Sequence, residues 1–80
     1  MAKRLNNLGT ILVHLFYPFG AKRCFLRALG INMKFYGSEH YEVGLNLINL
    51  GELQKSLGED EAQESIDKAT QILKKRVMDF

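Results

Sequence analysis

The segment Leu5-Asn6-Asn7-Leu8-Gly9 recurs as Leu47-Ile48-Asn49-Leu50-Gly51, 42 residues further along the chain. A second set of small and apolar residues follows each copy at an offset of 41, so that Ala21, Phe25, Ala28 and Ile31 correspond to Ala62, Ile66, Ala69 and Ile72. Spacings of three and four residues are those of one helix face. Self-similarity at a period of this length indicates stacked supersecondary units, here two tandem helical hairpins. We therefore expect an all-α protein of four helices.

The composition is that of one small globular domain. The chain has 80 residues, of which 46% are hydrophobic and 25% charged, and such a sequence is too apolar to be disordered. We expect a single domain over 1–80, with repeat one over about residues 3–37 and repeat two over about 38–80. The net charge is +2, yet residues 1–40 carry a balance of +5 and residues 41–80 one of −3. A basic first half suits nucleic acid or an acidic peptide, or is simply a solvated surface.

Apolar periodicity predicts helices over about residues 3–15, 21–36, 39–57 and 60–77. The first helix should pack through one stripe, made of Leu5, Leu8, Leu12 and Leu15. Pro18 and Gly20 should separate the first two helices, Ser38 should cap the third, and Gly58 should end it. Apolar residues on all sides of the second helix predict burial on more than one face. The fourth helix should pack through Ala62, Ile66, Ala69, Leu73 and Val77.

The sequence contains no pattern typical of catalysis, metal binding or cofactor binding. Cys24 lies within a helix period without a His or acidic neighbour, which favours a core thiol. His14 and His40 lack ligands at metal spacing, and His40 is better explained by capping or packing. The acidic run of residues 59–61 is interpreted as a helix-start feature. We therefore expect no enzyme activity, no metal and no cofactor.

The N-terminal segment has one alternative interpretation. Lys3 and Arg4 precede an apolar run, as in a signal peptide. The same segment contains the first copy of the repeat, and the run is much shorter than the ~20 residues of a membrane span. We expect a cytoplasmic protein that does not bind membranes.

The repeated pattern resembles the tetratricopeptide repeat, whose signature places Leu-Gly in a first helix and Ala, a bulky apolar residue and Ala in a second. Copy one supplies Leu8-Gly9, Ala21, Phe25 and Ala28, and copy two supplies Leu50-Gly51, Ala62, Ile66 and Ala69. The period of about 42, together with Gly37, His40 and Val43, resembles the kinesin light chain type of repeat. Tyr41 and Gly44 depart from that type, as does Phe16, which takes the position that glycine holds as Gly58 in copy two.

The resemblance implies an α-solenoid that binds an extended peptide or partner protein on the concave face of its repeats. Asn7 and Asn49 match the asparagine that contacts the peptide backbone in the kinesin light chain type. An amide can pair with any main chain because it both donates and accepts hydrogen bonds. One helical turn further on lie the other candidates, which are Thr10, Val13 and His14 in copy one and Glu52, Lys55 and Ser56 in copy two. Alternatively, Asn7 and Asn49 only bond to neighbouring helices.

Two other functions remain open on the sequence alone. The chain is either a structural fragment of a longer array without a ligand of its own, or a basic nucleic-acid binder using residues 3–34, although we do not expect nucleic acid to be the partner. Ile11, Val13 and Phe16 lie beyond the packing stripe of the first helix, and two repeats leave apolar faces unpaired. We therefore also expect self-association through exposed apolar helix faces.

Overall fold

The computed structural model describes residues 2–78, with side chains described for residues 2–75. This part of the chain forms four α-helices, namely α1 (Ala2–His14), α2 (Pro18–Tyr36), α3 (Tyr41–Ser56) and α4 (Ala62–Met78), and contains no strand. Consecutive helices pack against one another, in the order α1 on α2, α2 on α3 and α3 on α4. The prediction of an all-α protein built from two helical hairpins is confirmed.

Helix α1 packs through a different stripe from the one predicted. Ala2 and Gly9 are buried, while Leu5 and Leu12 are half-buried on the same side of the helix. Leu8 and Leu15, which were expected on this stripe, are exposed by 46% and 58%. The prediction was wrong because Gly9 carries no side chain. A glycine gives no signal in an apolar pattern, although it can form the closest contact of a helix face.

Helix α2 begins at Pro18, three residues earlier than expected. A proline fits the first position of a helix because its fixed φ is already helical and no acceptor is needed there for its missing N–H. The predicted burial on more than one side was wrong. Leu26, Met33 and Phe35 are exposed, and the buried stripe is confined to Ala21, Phe25, Ala28 and Asn32.

The start of α3 differs from the prediction. Ser38 does not cap the helix. Instead, Nδ1 of His40 accepts a hydrogen bond of 3.0 Å from the backbone N–H of Glu42. The imidazole thus satisfies one of the N–H groups that lack a partner at a helix start. Its ring also stacks on Tyr36 at the end of α2, with centroids 4.1 Å apart. His40 therefore joins the two hairpins, as its expected capping or packing role implied.

The acidic run before α4 has a tertiary role. Both carboxylate oxygens of Glu59 accept hydrogen bonds from Nζ of Lys22 at 2.7 and 2.8 Å, so the α3–α4 loop is tied to the first turns of α2. The helix itself starts at Ala62. Ala62 and Ala69 are buried as expected, and Ile66 and Leu73 of the same predicted stripe are half-buried. Ile72, which was not part of that stripe, is buried as well. The predicted contact of Val77 lies outside the residues whose side chains are described.

Glycines bring the helices of each hairpin into close contact. A Cβ on Gly9 would lie 2.5 Å from Cε1 of Phe25, and one on Gly51 would lie 2.7 Å from Cγ1 of Ile66. Distances this short are not tolerated between carbon atoms. The repeated Leu-Gly pair therefore marks the same helix crossing in both hairpins, as predicted.

The turns that end α1 and α3 share one backbone geometry. Tyr17 N–H donates to Leu12 O over 2.8 Å, and 42 residues later Glu59 N–H donates to Gln54 O over 2.9 Å. A tighter bond lies inside each turn, from Phe16 N–H to Val13 O and from Gly58 N–H to Lys55 O, both 3.1 Å long. These are the two bonds of a Schellman motif. The internal repeat thus extends from the sequence to the hydrogen bonds of the turn.

Phe16 adopts the left-handed backbone conformation that its turn requires. Its φ is 64°, close to the 73° of Gly58, and its side chain is 89% exposed. This conformation costs an L-residue about 1–2 kcal/mol, whereas glycine adopts it without steric strain. The aromatic ring gains little burial in return.

Replacing Phe16 with glycine should therefore raise the free energy of unfolding by about 0.5–1 kcal/mol, after allowing for the entropy of glycine in the unfolded chain. Urea denaturation followed by circular dichroism would measure the change. The reciprocal variant Gly58→Ala should lose about 1 kcal/mol. Equal stabilities of Phe16→Gly and the native protein would show that the turn is not strained.

Candidate functional site

A groove runs between α1 and α3, and residues of α2 form its floor. Its wider part is a depression of about 790 Å³ near the start of α1. The lining residues are Ala2, Lys3, Asn6 and Asn7 from α1, Ile31, Asn32, Phe35 and Tyr36 from α2, and Glu42, Leu45, Ile48 and Asn49 from α3. We call this part the wide cavity. It combines amide groups on both walls with apolar and aromatic side chains.

A narrower depression of about 220 Å³ adjoins the wide cavity at Asn49, which lines both. The other lining residues are Thr10, Val13, Phe25, Glu52, Leu53 and Ser56. Together the two depressions form one α1–α3 groove along most of the length of α1.

Three asparagines, one from each of α1, α2 and α3, form a hydrogen-bond chain beside the wide cavity. Nδ2 of Asn46 donates to Oδ1 of Asn6 over 2.8 Å, and Nδ2 of Asn32 donates to Oδ1 of Asn46. Asn46 is fully buried and Asn32 nearly so. A buried amide that lost such a partner would lower the stability of the fold. These hydrogen bonds therefore fix the separation of α1 and α3, the two walls of the groove.

The sequence does contain a signal for the hydrogen bonds among these asparagines, although the predictions above did not use it. Asn32 continues the buried stripe of α2 one turn beyond Ala28, and Asn46 lies on the buried stripe of α3 between Val43 and Leu50. A polar residue at a core position must find a hydrogen-bond partner. Two such residues on neighbouring helices could have been predicted to bond to each other.

Asn7 and Asn49 lie on opposite walls of the wide cavity. Asn7 is exposed on α1 and Asn49 is half-buried on α3. Neither side-chain amide makes a hydrogen bond to any residue that the structure describes. The alternative that these asparagines only bond to neighbouring helices therefore receives no support, and both amides can bond to a molecule in the groove.

Four of the other candidates line the narrow part of the groove, namely Thr10, Val13, Glu52 and Ser56. The Thr10 hydroxyl donates to the carbonyl of Asn6 and the Ser56 hydroxyl to that of Leu53, so each can offer its oxygen only as an acceptor.

His14 and Lys55 are exposed and line neither depression. The groove also contains residues outside the set predicted from the sequence. Among them are Phe35, Tyr36 and Glu42. No periodic signal distinguished these residues, because the groove arises from the spacing of three helices.

Comparison with protein-family models, with characterised proteins and with solved structures gave no match. Among the residues that the structure describes, no group of three or more His, Cys, Asp or Glu side chains is placed to hold a metal ion. Within the same residues, every helix is too short or too polar to cross a bilayer.

Proposed function

We propose that this protein is an interaction module that binds an extended peptide segment of a partner protein in the α1–α3 groove. The observation that carries the proposal is the pair of unbonded amides, Asn7 and Asn49, on facing walls of one cavity. An extended peptide exposes alternating N–H and C=O groups along both edges. Amides on two sides can bond to them whatever the peptide sequence.

The groove is also held ready for a ligand. The hydrogen-bond chain through Asn46 fixes both walls, and the stacking of His40 on Tyr36 holds an aromatic ring at one end of the wide cavity. A site that needs no rearrangement loses less free energy on binding. Apolar residues, among them Ile31 and Ile48, can receive side chains of the peptide.

The proposal includes membership of the tetratricopeptide repeat family, of the kinesin light chain type, with the two hairpins forming an α-solenoid. It includes a cytoplasmic location, which is consistent with the lone, half-buried thiol of Cys24. A purely structural role within a longer array is the second candidate. It is supported by the exposed stripe of Leu8, Ile11 and Leu15 on α1, because such a face suits a preceding hairpin.

The double variant Asn7→Ala/Asn49→Ala tests the peptide-binding proposal. Peptides would be selected from a phage-displayed random library against the native protein, and their affinities measured by fluorescence polarisation. Two lost hydrogen bonds at ~0.5–1.5 kcal/mol each should weaken binding by roughly 5–100-fold. Both residues are at the surface of the groove, so the melting temperature should not change.

Gln71→Ala is the matched control, since Gln71 is exposed on α4 and distant in sequence from the groove walls. It should bind the selected peptides as the native protein does. Equal binding by the double variant, or a library that yields no binder, would exclude the groove as a peptide site and leave the structural role.

A further inference from the structure

An exposed aromatic tip lies at the turn between α1 and α2. Phe16, Tyr17 and Phe19 are exposed by 89%, 63% and 70%, and Leu15 beside them by 58%. We call these four residues the tip. A contiguous group of large apolar side chains in water is uncommon on a protein that works alone, and it marks a contact surface.

The turn itself does not require these side chains. The corresponding turn after α3 has the same Schellman bonds, yet its residues are Gly58, Glu59, Asp60 and Glu61. Phe16 in addition adopts a backbone conformation that glycine would adopt without strain. Folding therefore accounts for the turn but not for its aromatic side chains, which points to a role in binding.

The wide cavity offers a complementary surface on the same molecule. Its apolar lining includes Ile31, Phe35, Leu45 and Ile48, and the Phe35 ring is 78% exposed. The cavity surrounds the first half of α1, whereas the tip follows the last turn. A helix of 13 residues is about 20 Å long. The tip therefore cannot reach the cavity of its own chain.

We propose that the tip of one copy docks into the wide cavity of a second copy. One pair of opposite charges favours this pairing. Residues 1–38 contain no carboxylate, and Arg23 is exposed one helical turn after Phe19. The cavity is lined by one carboxylate, that of Glu42 on α3, which has no hydrogen-bond or ion-pair partner among the described side chains, and by one cation, Lys3 on α1. The pairing therefore places Arg23 on the α3 side of the cavity, beside Glu42.

Other pairings of two copies fit less well. A tip against a second tip would bring Arg23 of both copies together, since both carry the same basic surroundings. The outer face of α4 offers no apolar surface, because its exposed residues between 63 and 75 are all polar or charged. The wide cavity is thus a better match for an apolar tip than either of these two surfaces.

The contact area indicates a weak association. A fully buried aromatic residue covers ~150–250 Å². The exposed parts of the tip therefore bury about 400–500 Å², and roughly twice that when the cavity surface is included. Stable interfaces bury ~1,200 Å² or more, and smaller ones are transient. We expect association that depends on concentration. Because the two contacting surfaces differ, it should produce short open chains of molecules.

The tip would occupy the same groove as the peptide ligand, so this inference rests on the groove of the proposed function, though not on its ligand. Association and peptide binding should then compete. The association needs no ligand, and it is measured independently of Asn7 and Asn49. If no association were observed, the peptide-binding proposal would still stand. If no peptide were selected, the proposed association would still stand.

Two variants test the inference by sedimentation velocity over a wide range of protein concentration. Phe16→Gly/Phe19→Ser removes the tip and relieves the strain at residue 16, so it should fold at least as well as the native chain. Phe35→Lys alters the exposed lining of the cavity and adds a cation that repels Arg23. Each variant alone should associate at least ~10-fold more weakly than the native protein and sediment as a monomer.

Mixing the two variants supplies the decisive measurement. The first keeps an intact cavity and the second an intact tip, so a mixture should form a one-to-one dimer and no longer chain. Leu26→Ser removes an exposed apolar side chain outside both surfaces and should associate like the native protein. Monomers in the mixture, native-like association of either variant, or loss of association in Leu26→Ser would overturn the proposal, as would binding of the tip to lipid vesicles or RNA without self-association.

Discussion

Replacing Gly51 with leucine is expected to lower the free energy of unfolding by about 3 kcal/mol. A Cβ at this position would lie 2.7 Å from Cγ1 of Ile66, 3.3 Å from the Ile66 backbone nitrogen and 3.4 Å from the Ala62 carbonyl oxygen. Two of these neighbours are backbone atoms, so turning the Ile66 side chain away would not by itself make room for the larger residue. Helix α4 must then move off α3, and such overpacking costs ~1–3 kcal/mol or more. The better helix propensity of leucine returns less than ~1 kcal/mol.

Gly30→Ala provides the matched control. Gly30 lies within α2, and a Cβ added there would meet no atom within 4 Å. Alanine should therefore stabilise the protein by up to ~1 kcal/mol through helix propensity alone. Thermal and urea denaturation of both variants would separate the effect of helix propensity on stability from the effect of packing. A Gly51→Leu protein as stable as the native chain would mean that α3 and α4 are not in close contact.

Asn46→Leu should destabilise the protein by about 2–3 kcal/mol, although leucine is apolar and of similar size. Asn46 is fully buried and bonded to both Asn6 and Asn32. Its loss leaves the Asn32 amide buried without a partner, and an unsatisfied buried polar group costs ~1–3 kcal/mol. Asn6 is half-buried, so water can replace its lost bond.

A double-mutant cycle tests whether the unpaired Asn32 amide causes the destabilisation expected for Asn46→Leu. Asn32→Leu/Asn46→Leu removes both buried amides, and replacing both partners of a buried hydrogen bond by apolar groups can be nearly neutral. The double variant should therefore be more stable than Asn46→Leu alone, with a coupling energy of at least ~1 kcal/mol. Additive losses would show that the two amides do not depend on each other.

The fold could be predicted because the internal repeat reports on local geometry and on helix contact at the same time. Gly9 and Gly51 recur at the same place in both copies, and the structure shows each against a bulky residue of the following helix. Gly58 was predicted to end α3 because few residues tolerate the left-handed conformation, and its φ is 73°. Both predictions rest on steric limits that favour glycine, and a glycine can be recognised directly in the sequence.

Features that depend on the relative position of several helices could not be predicted in the same way. Leu8 was expected in the core because leucine usually is, but the pattern cannot tell the side of α1 that meets α2 from the side that meets solvent. The cap of α3 was assigned to Ser38 from residue type, whereas His40 is held there by Tyr36 of the preceding helix. In each case a tertiary contact outweighed a local preference.

The residues of the site also fall into two groups, those that the repeat pattern predicts and those that depend on how the helices are placed. Asn7 and Asn49 were selected from their matching positions in the repeat, and the structure places both beside one cavity. The aromatic and apolar lining from α2, such as Phe35 and Tyr36, follows only from the way α2 lies beneath the two walls. A repeat pattern identifies residues that recur, but it is silent on residues that occur once.

The packing of each helix mainly on its neighbours in sequence has a consequence for how the chain folds. The extensive contacts join α1 to α2, α2 to α3 and α3 to α4, so most contacts close short loops, for which the entropy cost is small. Chains dominated by local contacts fold rapidly. Either hairpin can form first and serve as a template for the other, and a further hairpin could add at an end without rearranging those already formed.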